Sequence, residues 1–231
     1  MTSVNRSDPL YDQVYEALWS RIASGEIKPG SRLSDLQWSA NLNVSRTPVR
    51  EAMRKLQQDG VLLPLSRGGY EVLRISAQDL QKLYRCRAVL ESLAVREATE
   101  NITKRQLEKL KQLFEQTEQA VADKKFDRAF KLNTQFHQSI VQYCGNPYLQ
   151  GLLSNLSRMI LFARSSLMIA AHNPETMRPY AEHLESTQKD HREILELLTA
   201  GDAVAAARRM EEHLFATGEN MGRIAKAIGG D

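Results

Sequence analysis

The chain has 231 residues, 42% hydrophobic and 26% charged, with 31 Lys+Arg against 28 Asp+Glu and a net charge of +3. Twelve Gly and seven Pro are too few for a collagenous or low-complexity chain, and the apolar fraction excludes general disorder, so one large or two small domains with a real core are expected. Every apolar stretch is broken by charge well short of the roughly 18 residues a membrane span needs, Met1-Thr2-Ser3-Val4-Asn5 carries no apolar signal segment, and Cys86 and Cys144 are too far apart to suggest a disulfide framework; a cytoplasmic protein with no membrane partner is expected.

The first elements read as helix, helix, helix, hairpin. Leu10, Val14, Leu18 and Ile22 recur every four residues, with Asp8 placed to cap and Pro9 at the first helical position, and Gly25, Pro29 and Gly30 end the run. Ser34 to Leu42 is a short second helix, and Asn43-Val44-Ser45 a tight connection. Thr47 can cap a third helix that begins at Pro48, has Glu51 in its first turn and closes at Gly60. The period then becomes extended over Val61 to Leu65 and Tyr70 to Leu73, separated by Ser66-Arg67-Gly68-Gly69, where paired glycines can enter positive φ without strain.

On the third helix Val49, Ala52, Met53 and Leu56 follow i, i+3, i+4, i+7 and face a core, which leaves Arg46, Arg50, Arg54 and Gln57 on the opposite side. Residues 44 to 74 carry six basic against three acidic residues, whereas residues 75 to 231 carry 21 against 20, so the positive excess is local. Arginines at the start of such a helix can reach guanine O6 and N7, the Ser45 and Thr47 hydroxyls can hold phosphates, and Arg67 at the hairpin tip can reach a neighbouring phosphate or the minor groove. The bland alternative pairs Arg50 and Arg54 with Glu51, Asp59 or solvent.

From Ser76, which with Asp79 forms a capping-box pattern, the chain reads as helical throughout. Breaks at Asn101-Ile102-Thr103, Ala122-Asp123-Lys124, Gly145-Asn146-Pro147, Asn173-Pro174 and Gly201-Asp202 divide it into about six helices. The fold class expected is therefore mainly α: a winged helix-turn-helix over 1–74, then an antiparallel all-helical bundle over 75–231.

Within the bundle the informative residues are polar ones on apolar stripes. Arg87 interrupts the stripe Leu80, Leu83, Tyr84, Leu90, Ala94; Asn133 and His137 lie one turn apart among Phe126, Phe130, Phe136 and Ile140; His191 sits between Leu184 and Ile194; His213 sits between Met210 and Leu214. Each histidine alone can be an ordinary hydrogen-bonded core residue. Three of them with an amide, converging from three helices, suit one divalent ion, zinc most naturally, with nickel, iron or manganese as alternatives. His172 and His183 read as surface residues. Arg87 is either an anion anchor or half of a salt bridge with Glu91, and Arg164, at the edge of the Leu153, Leu156, Ile160, Leu167 stripe, is a second anchor.

The run Val44-Ser45-Arg46-Thr47-Pro48-Val49-Arg50-Glu51-Ala52-Met53, followed by Leu56, Gly60 and the Gly68-Gly69 wing, closely resembles the motif of GntR-family bacterial transcription regulators. The resemblance implies Ser45, Arg46, Thr47, Pro48, Arg50, Arg54, Arg67 and Gly68 as DNA-contacting positions, and a homodimer on a pseudo-palindromic operator of double-stranded DNA. One departure is that Asp35-Leu36-Gln37-Trp38-Ser39-Ala40 lacks a basic residue where some relatives place a phosphate-binding arginine.

Residues 76 to 228 are similar to the helical effector domain of the FadR subfamily, through Tyr84-Arg85-Cys86-Arg87-Ala88-Val89-Leu90-Glu91, Asn133-Thr134-Gln135-Phe136-His137, Asp190-His191 and His213-Leu214. The similarity implies a metal held by Asn133, His137, His191 and His213, with Asn133 standing where the family usually has aspartate, and a small carboxylate effector. The implied function is an effector-controlled regulator, a repressor rather than an enzyme. The alternatives are a helical half serving only dimerisation or metal sensing, and a metal-dependent hydrolase, for which Glu91 is the sole evident inward carboxylate.

Overall fold

The computed structural model describes the backbone of residues 9–170 and 174–227 and the side chains of residues 9–167 and 178–227. Among these residues the chain forms nine helices and one small sheet. Two compact units are distinguished: one runs up to Ile75 and takes in Arg158–Ala170, and the other holds Ser76–Ser157 and the chain after Ala170.

In the first unit α1 (Leu10–Ala23) buries Val14, Tyr15, Leu18 and Ile22, the expected stripe. Pro9 stands one position earlier than expected, as the N-cap, and Asp8 lies outside the described residues. In α2 (Asp35–Leu42) Ser34 caps the helix by accepting from the Gln37 amide, and Asn43 ends it in the left-handed region (φ 52°), the tight bend that launches α3. α3 (Arg46–Gln58) begins earlier than the sequence suggests: Ser45 is its N-cap residue, without a side-chain cap bond, and Thr47 and Pro48 lie in its first turn. Proline is tolerated there because the first-turn amides have no helical acceptor.

The hairpin is β2 (Leu62–Pro64) and β3 (Tyr70–Val72), and β1 (Arg32–Leu33) adds a third antiparallel strand in the order β1-β3-β2. This short strand was not expected. Gly69 makes it possible, because at φ 82° an added Cβ would lie 2.7 Å from the Leu33 carbonyl oxygen. The unit's core joins Leu18, Met53, Leu56 and Val72 with Phe162 from the Arg158–Ala170 segment.

Beneath α3, its C-cap residue Asp59 is buried. It accepts a 2.6 Å hydrogen bond from the Tyr15 hydroxyl and forms a 2.8 Å ion pair with Arg158. Burial, reinforced by the Asp59 hydrogen bond, pushes the Tyr15 phenol well above its ordinary range.

The second unit consists of α4 (Ala77–Asn101), α5 (Lys104–Ala122), α6 (Phe126–Tyr143), the first part of α7 (Pro147–Ala170), α8 (Pro174–Ala200) and α9 (Ala203–Ala227). The six expected helices are present; of the expected breaks only Asn173 lies outside the described residues. Ser76 caps α4 through the Asp79 amide, and Thr103 and Gln106 close a reciprocal capping box on α5. α4 lies along α9, α5 against α6, and α8 against α9. Gly218 allows the first contact to be close, since a Cβ there would meet the Tyr84 Cβ at 2.6 Å. No helix among the described residues is long and apolar enough to cross a membrane.

Replacing Asp59 by Ala removes the one carboxylate that the Tyr15 phenol and the Arg158 guanidinium share. We expect a loss of about 2 kcal/mol in urea unfolding, with Tyr15→Phe costing roughly half as much. An unchanged midpoint for Asp59→Ala would remove this ion-pair network from the account of how the unit is held.

Candidate metal centre and nucleic-acid interface

The metal centre is built from one buried residue on each of three helices: His137 on α6, His191 on α8 and His213 on α9. Their ligand nitrogens all lie within 4.8 Å of one another. The His191 Nε2 stands 3.2 Å from the Nε2 of His137 and 3.1 Å from that of His213. Two nitrogens each about 2.0 Å from a tetrahedral ion would be about 3.3 Å apart, so the spacing suits a shared cation.

Two of the imidazoles are braced from behind. The His137 Nδ1 is 2.7 Å from Glu91 Oε2, and the His213 Nδ1 is 3.0 Å from Asp190 Oδ2. A neutral histidine that donates its Nδ1 proton to a carboxylate must present the Nε2 lone pair on its other side. This is the tautomer a metal requires, and a carboxylate behind a ligating imidazole also raises its basicity. Arg209 in turn holds Asp190.

Burial keeps all three rings neutral. It is the leading cause of the downward shift at each: His137 falls to about 4 against the opposing pull of Glu91, His191 goes well below its ordinary 6.5, and His213 is lowered despite its bond to Asp190. Burial by itself would raise the Glu91 carboxyl, but Arg87 and then His137 outweigh it and hold that carboxyl at about 2.

The fourth expected ligand, Asn133, lies one turn before His137 on the buried face of α6. Its Oδ1 is buried with no hydrogen-bond partner among the described residues, an arrangement a coordinated ion would relieve. The residues present therefore fit a metal.

Arg87 is buried, and its Nε donates a 2.5 Å hydrogen bond to Glu91 Oε1, so the intrahelical pairing read as one alternative is formed. The guanidinium also lies over the Tyr84 ring at 5.6 Å. The Tyr84 hydroxyl, Gln188 Oε1 and Thr217 Oγ1 are likewise buried without partners among the described residues. Tyr84 stands one turn from Arg87, Gln188 one turn from His191 and Thr217 one turn from His213. The sequence does not single out Tyr84 and Gln188 as a site, because tyrosine and glutamine on a helix face are unremarkable until their partners are counted.

Arg164 is buried and belongs to the segment grouped with the first unit. His183, expected at the surface, is buried, because α8 turns it inward with its Leu184, Thr187 and His191 face. His172 lies outside the described residues.

In the first unit Ser45, Arg46, Thr47, Arg50, Arg54, Arg67 and Gly68 are exposed and Pro48 is partly so, while Val49, Ala52, Met53 and Leu56 are buried. Neither Arg50 nor Arg54 forms an ion pair with Glu51 or Asp59, and Arg46 and Arg50 share a different partner. Both bind Asp35 at the start of α2, an acidic residue that stands out in the sequence only because that helix lacks a basic one.

An arginine-bearing helix set behind a tight turn and flanked by a wing is the reading head of a winged helix-turn-helix regulator. Residues 10–72 match the bacterial regulatory proteins of the gntR family, and residues 82–216 match the FCD domain. The chain belongs to the GntR family of transcriptional regulators and carries an FCD domain. It is 32% identical over 192 residues to the uncharacterized HTH-type transcriptional regulator YdhC of Bacillus subtilis, covering 82% of this chain and 86% of that one. It is 29% identical to the HTH-type transcriptional repressor RspR of Escherichia coli, covering 96% and 93%. The solved structure of E. coli McbR/YncC is similar at a TM-score of 0.74 and 26% identity, covering 96% of this chain and 99% of that one.

The three imidazoles predict how metal-free protein responds to acid. Their folded-state pKa values lie below the 6.5 of free histidine, so the unfolded chain takes up protons first as pH falls. Stability is level above about 6.5 and declines toward about 4, the value to which His137 is shifted. Glu91 adds to the decline only below about 4.5, its ordinary value. Thermal melts of chelator-treated protein between pH 7.5 and 5 should show this fall, and His137→Gln should make it shallower. A midpoint independent of pH in that window would mean that the rings are not buried neutral.

Proposed function

We propose that this regulator is a homodimeric repressor in the cytoplasm that reads a pseudo-palindromic operator through α3 and the wing, within residues 1–74, and that the bundle over residues 75–231 senses a small carboxylate beside a divalent metal. The observation that carries the sensing half is the convergence of three Nε2 atoms, two of them backed by carboxylates. His137, His191, His213 and Asn133 would hold the ion, zinc being the first candidate for a set rich in imidazole, with nickel, iron or manganese as alternatives. When bound, the metal supplies a Lewis-acidic position at which a carboxylate oxygen can be taken up.

The chain's own residues supply the rest. Arg87 spends its Nε on Glu91 and keeps its terminal amino groups for an anion. Tyr84, Gln188 and Thr217 offer polar atoms that need partners. Both Glu91 oxygens are engaged, one by Arg87 and one by His137, which leaves it unsuited to act as a general base and supports a sensor over a hydrolase.

The same Arg87–Glu91 pair favours a second reading, in which the metal alone is sensed and no organic anion enters. Thermal melts separate the two. Zinc at a hundredfold excess over its Kd should stabilise stripped protein by about 2.7 kcal/mol, roughly 5 to 10 °C, and His191→Ala should abolish the shift. A further rise with short carboxylates supports an effector. A zinc shift with no response across a broad acid panel supports metal sensing alone, and no zinc shift removes the metal from both.

On the DNA side, Arg46→Ala and Arg50→Ala should each weaken binding to a selected operator by roughly 1 to 3 kcal/mol in salt-matched titrations. Unchanged affinity would displace α3 as the reading helix.

A further inference from the structure

Arg46 and Arg50 stand one turn apart on the exposed face of α3, and both converge on a single carboxylate. The Arg46 Nη2 donates to both Asp35 oxygens at 3.1 Å, and Arg50 donates to Asp35 Oδ2 from Nε at 3.0 Å and from Nη2 at 2.5 Å. The arginine side chains are about half exposed, at 54% and 52%, while that of Asp35 is 19% exposed. The acid therefore lies behind its two cations rather than between them and solvent. Neither Nη1 donates to another residue among those described, so each guanidinium keeps donors for an incoming ligand.

Three physical consequences follow from this clamp. An unrestrained arginine gives up much of its rotamer freedom when it docks on a base edge; one already tied to Asp35 has lost part of that freedom in advance. Two cations sharing one anion present a net charge of about +1 rather than +2 to the phosphates, which weakens the sequence-independent component of binding. The guanidiniums also repel each other less and are held at a fixed separation, as a pair of base contacts requires. Each consequence raises discrimination, either by favouring the ordered contact or by lowering attraction to any duplex.

We propose that Asp35 is a specificity-determining positioning residue of the DNA-reading head, which holds Arg46 and Arg50 as an oriented pair for base edges and offsets their attraction to phosphate. The inference rests on α3 being the reading helix, and it assigns a role on α2 to an acidic side chain that touches no base. Losing the carboxylate exchanges sequence discrimination for indiscriminate affinity.

The test uses the full chain with Asp35→Asn, which keeps shape and helix-start chemistry while removing charge, and Asp35→Glu, which restores the charge. Anisotropy titrations on a labelled random-sequence duplex across a salt series measure the indiscriminate component. Selection from a randomised duplex library, followed by sequencing, measures discrimination whatever the operator turns out to be. For Asp35→Asn we expect about threefold to tenfold tighter binding to random duplex at low salt, a salt slope steeper by about one, and at least a tenfold fall in enrichment of the selected site. Asp35→Glu should recover most of the enrichment. Wild-type enrichment by Asp35→Asn overturns the proposal, as does unchanged affinity and slope on random duplex. If the unsubstituted chain enriches no sequence at all, the assignment of α3 itself fails, an outcome distinct from the failure of Asp35 alone.

Discussion

Burying an imidazole among aliphatic side chains is unfavourable unless both nitrogens are satisfied, and this bundle buries three with their Nε2 atoms facing one another. That constraint organises the second unit. It explains why a carboxylate stands behind two of the rings, since Glu91 and Asp190 accept hydrogen bonds from the Nδ1–H groups and leave those two Nε2 lone pairs facing inward. It also explains why Arg87 and Arg209 are where they are, because a buried or half-buried carboxylate needs its own cation. The chain Arg87, Glu91, His137 is thus one connected arrangement across α4 and α6, and Arg209, Asp190, His213 is its counterpart across α8 and α9.

The same economy of charge appears in the first unit at the surface. A reading head must carry cations to approach DNA, yet cations that are unrestrained and unopposed bind any phosphate. Asp35 opposes two of them, while Arg54 and Arg67 are exposed. Asp59 does the corresponding work inside, where it ties the end of α3 to α1 through Tyr15 and to the last part of α7 through Arg158. A helix held at both ends by carboxylates can present a fixed face.

Much of this was legible in the sequence because it is local. The i, i+3, i+4 spacing of Val49, Ala52, Met53 and Leu56 dictated which side of α3 is buried, and therefore which arginines are exposed. The same periodicity placed His137, His191 and His213 inward, and capping residues such as Ser34 and Ser76 marked helix starts. What was not legible depends on distant pairs. Nothing in the spacing joins Asp35 to Arg50, fifteen positions on, or Glu91 to His137, forty-six positions on. The two-residue strand β1 is too short to show a period, and it exists only because β3 offers it an edge. His183 was misplaced because the sequence suggests a helix start close to it, whereas α8 begins at Pro174 and carries His183 on the same buried face as Thr187 and His191. Ser45 rather than Thr47 opens α3 because the bend at Asn43 releases the chain sooner than the proline suggests.

The neutral amide at Asn133 bears on what such a site would demand of its ligand. Three neutral imidazoles and an amide oxygen contribute no charge, so a divalent ion held there would keep its full charge in the interior. The compensating carboxylates, Glu91 and Asp190, act through the rings, and each is already shared with an arginine. An aspartate in place of Asn133 would remove one unit of that excess directly. In the reading proposed above, a bound carboxylate is the simplest group that would supply the balance from outside the protein while also offering an acceptor to the remaining donors of Arg87. An effector changes DNA affinity only to the extent that it binds the two conformations of the regulator differently. On that reading an anion would register the difference through charge, because its occupancy would alter the charge of the bundle interior and not merely its contacts.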